Sequence, residues 1–294
     1  MGVVVAGIDE AGYGPLLGPL TVAMCVLRLR EFEPGAPAPD VWRLLSAAVC
    51  REARDKRQRI AIADSKKLKL PNDSASRHPL THLERGVLAF AGQLGDGPGP
   101  ATDADLLALV GAAHSGRPWY AGPPTSLPLA RTPAEIALDV SMLRGAMHRA
   151  GVEVLALRCV VVDEAVFNDI VRRTGTKGEA TLHAIGRHLR WLREMVGVRG
   201  AAAGAGPADG PDHVRIVCDR LGGRTTYADL LERELPGMRA GPVEESARVS
   251  RYDLGEGWAA HFQPECEAAH LPVALASMTA KLVRELAMAR FNRY

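Results

Sequence analysis

Apolar, β-branched runs open the chain. Val3 to Ile8 is one, and Leu20 to Leu29 is another after a Gly- and Pro-rich connection, which predicts a hairpin-like pair of strands. Further strands are predicted at Val152 to Val162 and His213 to Cys218, with a strand pair at Glu245 to Tyr252 and Trp258 to Phe262. Apolar residues at helical spacing predict helices over Val41 to Arg54, Leu80 to Leu94, Ala104 to Ala113 and Pro133 to Ala150. A longer one runs from Ala165 to Val196 with its middle broken by Gly175 and Gly178, and two more cover Tyr227 to Glu234 and Leu271 to Arg290. Strands interleaved with helices predict an α/β fold with a mixed β-sheet flanked by helices. Four Pro- and Gly-rich stretches, near 31–40, 92–103, 115–128 and 201–212, read as loop insertions. With no repeat and no clear linker, a single domain over 1–294 is expected.

Composition narrows the class. The 294 residues are 47% hydrophobic and 24% charged, enough for a sizeable core and unlike disordered or fibrous chains. Thirty-six Lys and Arg against thirty-four Asp and Glu leave a net charge of +2, so any nucleic-acid contact must come from a local basic face. Five cysteines without a C-x-x-C pair fit neither a disulfide framework nor a zinc cage, and a reducing cytoplasm is the expected compartment. The first residues carry no positive leader, and Asp9 and Glu10 interrupt the opening apolar run. Ala6 stands where a myristoylation signal needs Ser or Thr, and no window reaches the roughly 18 uncharged residues of a membrane span. A soluble chain without membrane contact, acting as a monomer, is expected.

The residues that carry chemistry are acids ending apolar strands. Asp9 and Glu10 end VVVAGI, Asp163 ends LRCVVV, Asp219 ends VRIVC, and Glu265 and Glu267 precede the last helix. Carboxylates gathered at neighbouring strand ends repel one another unless a cation sits among them, and hard oxygen ligands suit magnesium or manganese. A solvated acid at a strand end is the ordinary alternative for any one of them. The Asp9-Glu10 pair stands out because Gly12, Gly14, Pro15, Gly18 and Pro19 follow it, a loop that lets a substrate backbone come close. Regular strand geometry points Asp9 and Glu10 to opposite faces, so one metal site can use both only if the strand bends or ends there.

GIDEAGYGPLLGPL resembles the opening motif of the type-2 ribonucleases H, the family of ribonucleases HII and HIII. Ala63-Asp64-Ser65-Lys66-Lys67-Leu68 resembles the family's Asp-Ser-Lys-Lys-Leu segment. Ala276-Ser277-Met278-Thr279-Ala280-Lys281 followed by Arg284-Glu285 resembles its Ala-Ser-x-x-Ala-Lys-x-x-Arg-Asp helix. Three motifs in the same order make the resemblance specific. It implies a ribonuclease H-like fold and four metal-binding, catalytic carboxylates: Asp9, Glu10, Asp219 as the third acid in preference to Asp163, and Glu267, ten residues before Ser277. The family carries Asp at that last position, and Glu265 is the alternative.

The implied activity is two-metal hydrolysis, with Mg2+ or Mn2+, of the RNA strand of an RNA–DNA hybrid or beside an embedded ribonucleotide. RNA is told from DNA through the 2′-hydroxyl. Backbone amides of Gly12, Tyr13 and Gly14 are the groups to read it, with the Tyr13 ring either stacking or filling space. Lys66 and Lys67 are candidates for phosphate contacts, and Lys281 shares a helix face with Arg284, the alternative being a salt bridge to Glu285. Ser277 is expected to orient a ligand, since no base partner makes it a nucleophile. Arg220, Arg224 and Tyr227 read as a strand-to-helix turn capped by Thr, the alternative being a basic and aromatic group that holds a nucleic-acid strand, and His183, His188, His261 and His270 read as structural. Two departures bear on specificity: Tyr13 replaces an Arg that ribonuclease HII usually carries, and the family's later segment with a substrate-contacting Tyr is missing. A relative with different nucleic-acid specificity, or one that binds without cutting, is the alternative function.

Overall fold

The computed structural model describes residues 2–13, 17–30, 39–74, 76–95, 97, 99–202 and 212–294. Gly14 and the centres of three expected insertions, at 31–38, 96 with 98, and 203–211, lie outside the described residues. The chain begins with β1 (Val3–Ala11) and β2 (Leu20–Leu29), then α1 (Val41–Leu44), β3 (Val49–Cys50), β4 (Ile60–Ala61), α2 (Ser65–Leu68), α3 (Thr81–Ala91) and α4 (Asp103–Leu109). It continues with α5 (Pro133–Ala150), β5 (Val152–Val162), α6 (Glu164–Thr174), α7 (Gly178–Ala202), β6 (His213–Asp219) and α8 (Ala228–Glu234). It closes with β7 (Gly241–Glu245), β8 (Ser250–Gly255), β9 (Trp258–Gln263), α9 (Cys266–Ala269) and α10 (Leu271–Arg293).

Seven strands form one mixed sheet in the order β5-β2-β1-β6-β9-β8-β7, and β3 and β4 form a small parallel pair beside it. The fold is thus mixed α/β with a central sheet flanked by helices, as the interleaved pattern predicts. At its centre β1 runs antiparallel to β2 and parallel to β6, and β6 runs parallel to β9. The C-terminal ends of β1, β6 and β9 therefore lie at one edge of the sheet.

Alternation along β1 sorts two cores. Val3, Val5 and Ala11 join a core that includes α3 and α10, while Val4, Ala6 and Ile8 join one that includes α7 and α8. On the first face α10 lies directly on β1. A Cβ on Gly7 would come within 2.3 Å of the Pro272 and Val273 backbone, so the sequence needs glycine there.

Local structure departs from the sequence pattern at three places. The helix expected over Val41 to Arg54 stops at Leu44, because buried Val49 and Cys50 pair with Ile60 and Ala61. The strand expected over Glu245 to Tyr252 is interrupted at 246–249 by a hairpin turn between β7 and β8, closed by the Ser246 N–H donating to the Val249 carbonyl, while Ser250 to Tyr252 pair with β9 as expected. The Thr cap expected before α8 is absent. The N-cap is Tyr227, whose N–H donates to the Tyr252 hydroxyl and whose ring stacks on Phe262 with centroids 3.8 Å apart. The break at Gly175 is as expected: it ends α6 in the left-handed conformation, φ 78°, and α7 follows.

Candidate active site at the edge of the parallel strands

Strand register brings the acids together. The last pair between β1 and β6 is Ile8 with Cys218, so Asp9 and Asp219 follow as the next residues of neighbouring parallel strands about 4.8 Å apart. Val217 joins the same core as Val5, so by alternation Asp219 shares the α10 face with Asp9. β1 does not end or bend at the acid pair: it stays paired to β2 through Ala11, and the turn begins at Gly12, φ 98°. By alternation Asp9 lies on the α10 face and Glu10 on the other.

The field of the four acids is strongly negative. Burial, then the Glu10 and Asp219 carboxylates, hold Asp9 well above its ordinary value, while a hydrogen bond from Ser277 acts in the opposite sense. Glu10 is pushed up to about 7 by burial and by Asp219, with Glu267 adding and the Lys66 cation opposing. Burial also raises Asp219, against N–H groups of Cys266, Arg220 and Glu265. Glu267 is raised by burial and by Asp219, Asp64 and Glu265. Asp219 thus acts on each of the other three. Among the described residues no three His, Cys, Asp or Glu side chains form a ready metal-holding group. The four acids are coupled through space.

The supports come from the two later motifs. Val273 covers Gly7, and Ser277 is one turn, about 6 Å, further along α10. Asp9 is two residues, about 6.6 Å, further along β1 on the same face, so hydroxyl and carboxyl meet. Ser277 is only 4% exposed, and its hydroxyl lies 3.0 Å from that of Ser65, also 4% exposed, at the start of α2. Ser65 and Asp64 were not singled out from sequence, although both stand in the Asp-Ser-Lys-Lys segment. Asp64 accepts from the Lys66 N–H at 2.9 Å and adds its charge at Glu267. Asp219 accepts from the Cys266 N–H at 3.3 Å, which ties β6 to the start of α9.

The remaining expected residues divide. Lys66 and Lys67 are exposed on α2, and Lys66 reaches the acids through its field. Tyr13 is 43% exposed beside the glycine turn. Gly12 is required twice over, by its φ and by its contact with α10, since a Cβ would lie 2.6 Å from Arg284 Nε. Arg284 is buried there and donates to the Leu17 carbonyl at 2.8 Å, so it braces the loop. Lys281 forms the alternative ion pair, 2.9 Å from Glu285.

Asp163 caps α6 by accepting from the Val166 N–H, and it acts on neither Asp9 nor Glu10. Arg220 and Arg224 are tied down as well. Arg220 donates to the Arg224 and Ser246 carbonyls, and Arg224 pairs with Glu179 at 2.9 Å. His188 is buried with Nε2 2.9 Å from the Val22 carbonyl oxygen. All five cysteines are free and buried. Among the described residues no helix is long and apolar enough to cross a membrane.

No family model matches the chain, and no curated protein matches it. Among solved structures it is similar to the ribonuclease H2 from Pyrococcus horikoshii OT3, at 14% identity and a TM-score of 0.42, over 99% of this chain and 76% of that one.

Proposed function

We propose that this chain is a divergent type-2 ribonuclease H, a metal-dependent endonuclease that hydrolyses the RNA strand of RNA–DNA hybrids or cuts at embedded ribonucleotides. The observation that carries this reading is the position of Asp9, Glu10, Asp219 and Glu267 at one sheet edge, where burial raises all four carboxyls, neighbouring acids further raise Asp9, Glu10 and Glu267, and the Lys66 cation opposes this at Glu10 and Asp219. The order of the three motifs supports it, because the second and third supply Ser65, Lys66 and Ser277 to the first. A stability-minded arrangement does not crowd acids this way.

The donor set is all carboxylate oxygen, which fits a hard divalent cation such as Mg2+ or Mn2+. Such ions, bound in a two-metal arrangement, would supply the positive charge that a polyanionic substrate needs and lower the pKa of the attacking water. The chain's own residues do the positioning. Ser277, itself bonded to Ser65, and the Glu10 N–H, 2.7 Å away, both donate to Asp9 and fix its carboxylate. The Cys266 N–H fixes Asp219. Lys66 and Lys67 offer exposed cations to substrate phosphates, with Lys281 in reserve behind its pairing to Glu285. The N–H groups of Gly12 and Tyr13 stand at the loop a 2′-hydroxyl would meet.

One observation favours a second reading, a nucleic-acid binder that does not cut or cuts another substrate: Asp9 and Glu10 lie on opposite faces of a strand that stays regular through Ala11. Cleavage of a labelled hybrid, a duplex with one embedded ribonucleotide and plain double-stranded DNA, in Mg2+, Mn2+ or chelator, decides between them. Metal-dependent cutting of the first two, lost in Asp9→Asn, is expected. Hybrid binding by a folded protein that cuts under no condition would establish the second reading.

A further inference from the structure

A cavity of about 670 Å³, lined by none of the four acids, lies between the segment before β4, the start of α3 and the segment before α5. Its wall carries five arginines, Arg54, Arg59, Arg77, Arg85 and Arg131. Three have their own carboxylates: Arg59 pairs with Asp55 at 2.8 Å, Arg85 with Asp139 at 2.6 Å, and Arg131 with Glu135 at 3.2 Å. Arg85 also donates to the Gln58 and Arg59 carbonyls, which ties the two sides of the cavity together. Arg54 and Arg77 are exposed at the rim and make no ion pair among the described residues. Five guanidiniums against three carboxylates leave the cavity with two unmatched cations.

The other wall groups are mainly donors, and a further acid beside them, Glu84 in the first turn of α3, is buried with its carboxylate held by the Leu129 and Ala130 N–H groups. Helix α3 begins here, at Thr81; its cap residue Leu80 makes no side-chain cap bond of its own, and the Leu80 N–H donates to His78 Nδ1 at 3.2 Å. The positive end of its dipole therefore faces the same space. Arg131 Nε is buried with no acceptor among the described residues. His82, 8% exposed in the wall, reports the field: burial, then Arg77, Arg131 and Arg85, hold its ring below its ordinary pKa.

We propose that this cavity is a binding site for a phosphate group, separate from the carboxylate edge and independent of whether that edge cuts. A phosphate dianion carries about −1.5 to −2 charges at neutral pH, which matches the two unmatched guanidiniums. Its three terminal oxygens accept from forked Arg donors in a way that a single carboxylate does not. The volume lies within the roughly 300–1,000 Å³ of small-ligand sites, so there is room for more than one phosphate. The phosphate can belong to a free phosphate-bearing molecule or to a nucleic-acid backbone. Arg59 lies only five residues before Asp64, no more than about 18 Å of chain, so a strand lying across Lys66 passes within reach.

Titration calorimetry with tripolyphosphate on the full chain tests the site, with no dependence on catalysis. Saturable one-to-one binding is expected, weakened about tenfold or more in the Arg54→Gln, Arg77→Gln double variant. Both residues are exposed and unpaired, so an unchanged Tm shows that the fold is intact. The Arg172→Gln, Arg173→Gln double variant removes equal charge from the exposed face of α6 and is expected to bind within about twofold of the parent. A short RNA–DNA hybrid that displaces tripolyphosphate identifies a strand phosphate as occupant, and failure to displace identifies a free phosphate-bearing molecule. Absence of saturable binding, or equal weakening in the two double variants, overturns the site.

Discussion

At the carboxylate edge, Asp9, Glu10, Asp219 and Glu267 act on one another through space without forming a ready metal-holding group among the described residues, and Lys66 is the cation that acts on Glu10 and Asp219. At the arginine cavity, three of five guanidiniums carry their own carboxylates and the two without partners stand at the exposed rim. The contrast follows from the chemistry of the two groups. A carboxylate in an unfavourable field takes up a proton, so acids can be buried side by side without counterions. A guanidinium keeps its proton at every accessible pH, so a like-charged group of arginines must be paired or solvated one by one. The acid edge therefore stores an unmet demand for positive charge, and the cavity keeps a smaller excess at its mouth.

The largest effect is expected where that demand is removed. In Asp9→Asn the hydrogen bond from Ser277 can persist while one charge is lost, so cleavage of a hybrid should fall to background. The Tm should stay level or rise, because a buried acid with a raised pKa opposes folding at neutral pH. Activity lost together with a large drop in Tm would make Asp9 structural, and the contrast between a strained edge and a paired cavity would fail.

Rigid packing comes next. Gly7→Ala drives a Cβ into the Pro272 and Val273 backbone, where no flexible side chain can yield, and should cost about 3 kcal/mol or more in denaturant unfolding. It should also separate Ser277 from Asp9, so cleavage should fall further than stability predicts. An undisturbed Tm would mean that α10 lies looser on β1 and that the register argument for the acid site is wrong. Smaller still is Ser277→Ala, which leaves every carboxylate in place and removes one orienting donor. A ten- to hundredfold loss of activity is expected, in line with other groups that orient metal ligands. A comparable or smaller loss should follow Ser65→Ala, which acts through Ser277.

How much of this was legible in the sequence depends on the range of the forces involved. The strands β1, β2, β5 and β6 follow from continuous apolar runs, since burial on both faces writes itself into every residue. The capping box of Thr132 and Glu135 and the left-handed Gly151 bound α5 where the periodicity placed it. Asp9, Glu10 and Asp219 were legible as strand ends, and Glu267 only by its spacing to Ser277 in the motif that the chain resembles. Their arrangement was not, because the pairing of Ile8 with Cys218 that puts Asp9 beside Asp219 joins residues 210 positions apart. The same holds for Ser65 meeting Ser277 and for α1, cut short by a pairing with Ile60 that no local pattern announces. The arginine cavity left no motif at all: its cations come from three segments, and each reads alone as an ordinary solvated charge.

The finest test of the comparison is titration without metal. Glu10 holds its proton up to about pH 7 in the fold against 4.5 in the free side chain. Its raised pKa means that the folded state binds the proton more tightly, so this contribution to stability is whole below pH 4.5 and is lost as pH rises through 7. At about 1.4 kcal/mol per unit the loss is no more than about 3.5 kcal/mol, and about half that for a side chain that solvent partly screens. Thermal unfolding of the metal-free protein should therefore show Tm declining between pH 4.5 and 7, on top of the opposite trend from buried His188, whose pKa is lowered to about 4. Subtracting the Glu10→Gln profile removes the His188 trend and leaves the contribution of Glu10 together with its effect on Asp9, because that variant keeps His188. Millimolar Mg2+ at pH 7 should raise the Tm of the parent more than that of the variant, by supplying the charge the edge lacks. The Arg54→Gln, Arg77→Gln double variant should show the parent slope, since guanidiniums do not titrate in this range. Identical profiles for the parent and Glu10→Gln would place Glu10 in open solvent, away from Asp219, and leave the two charged regions physically alike.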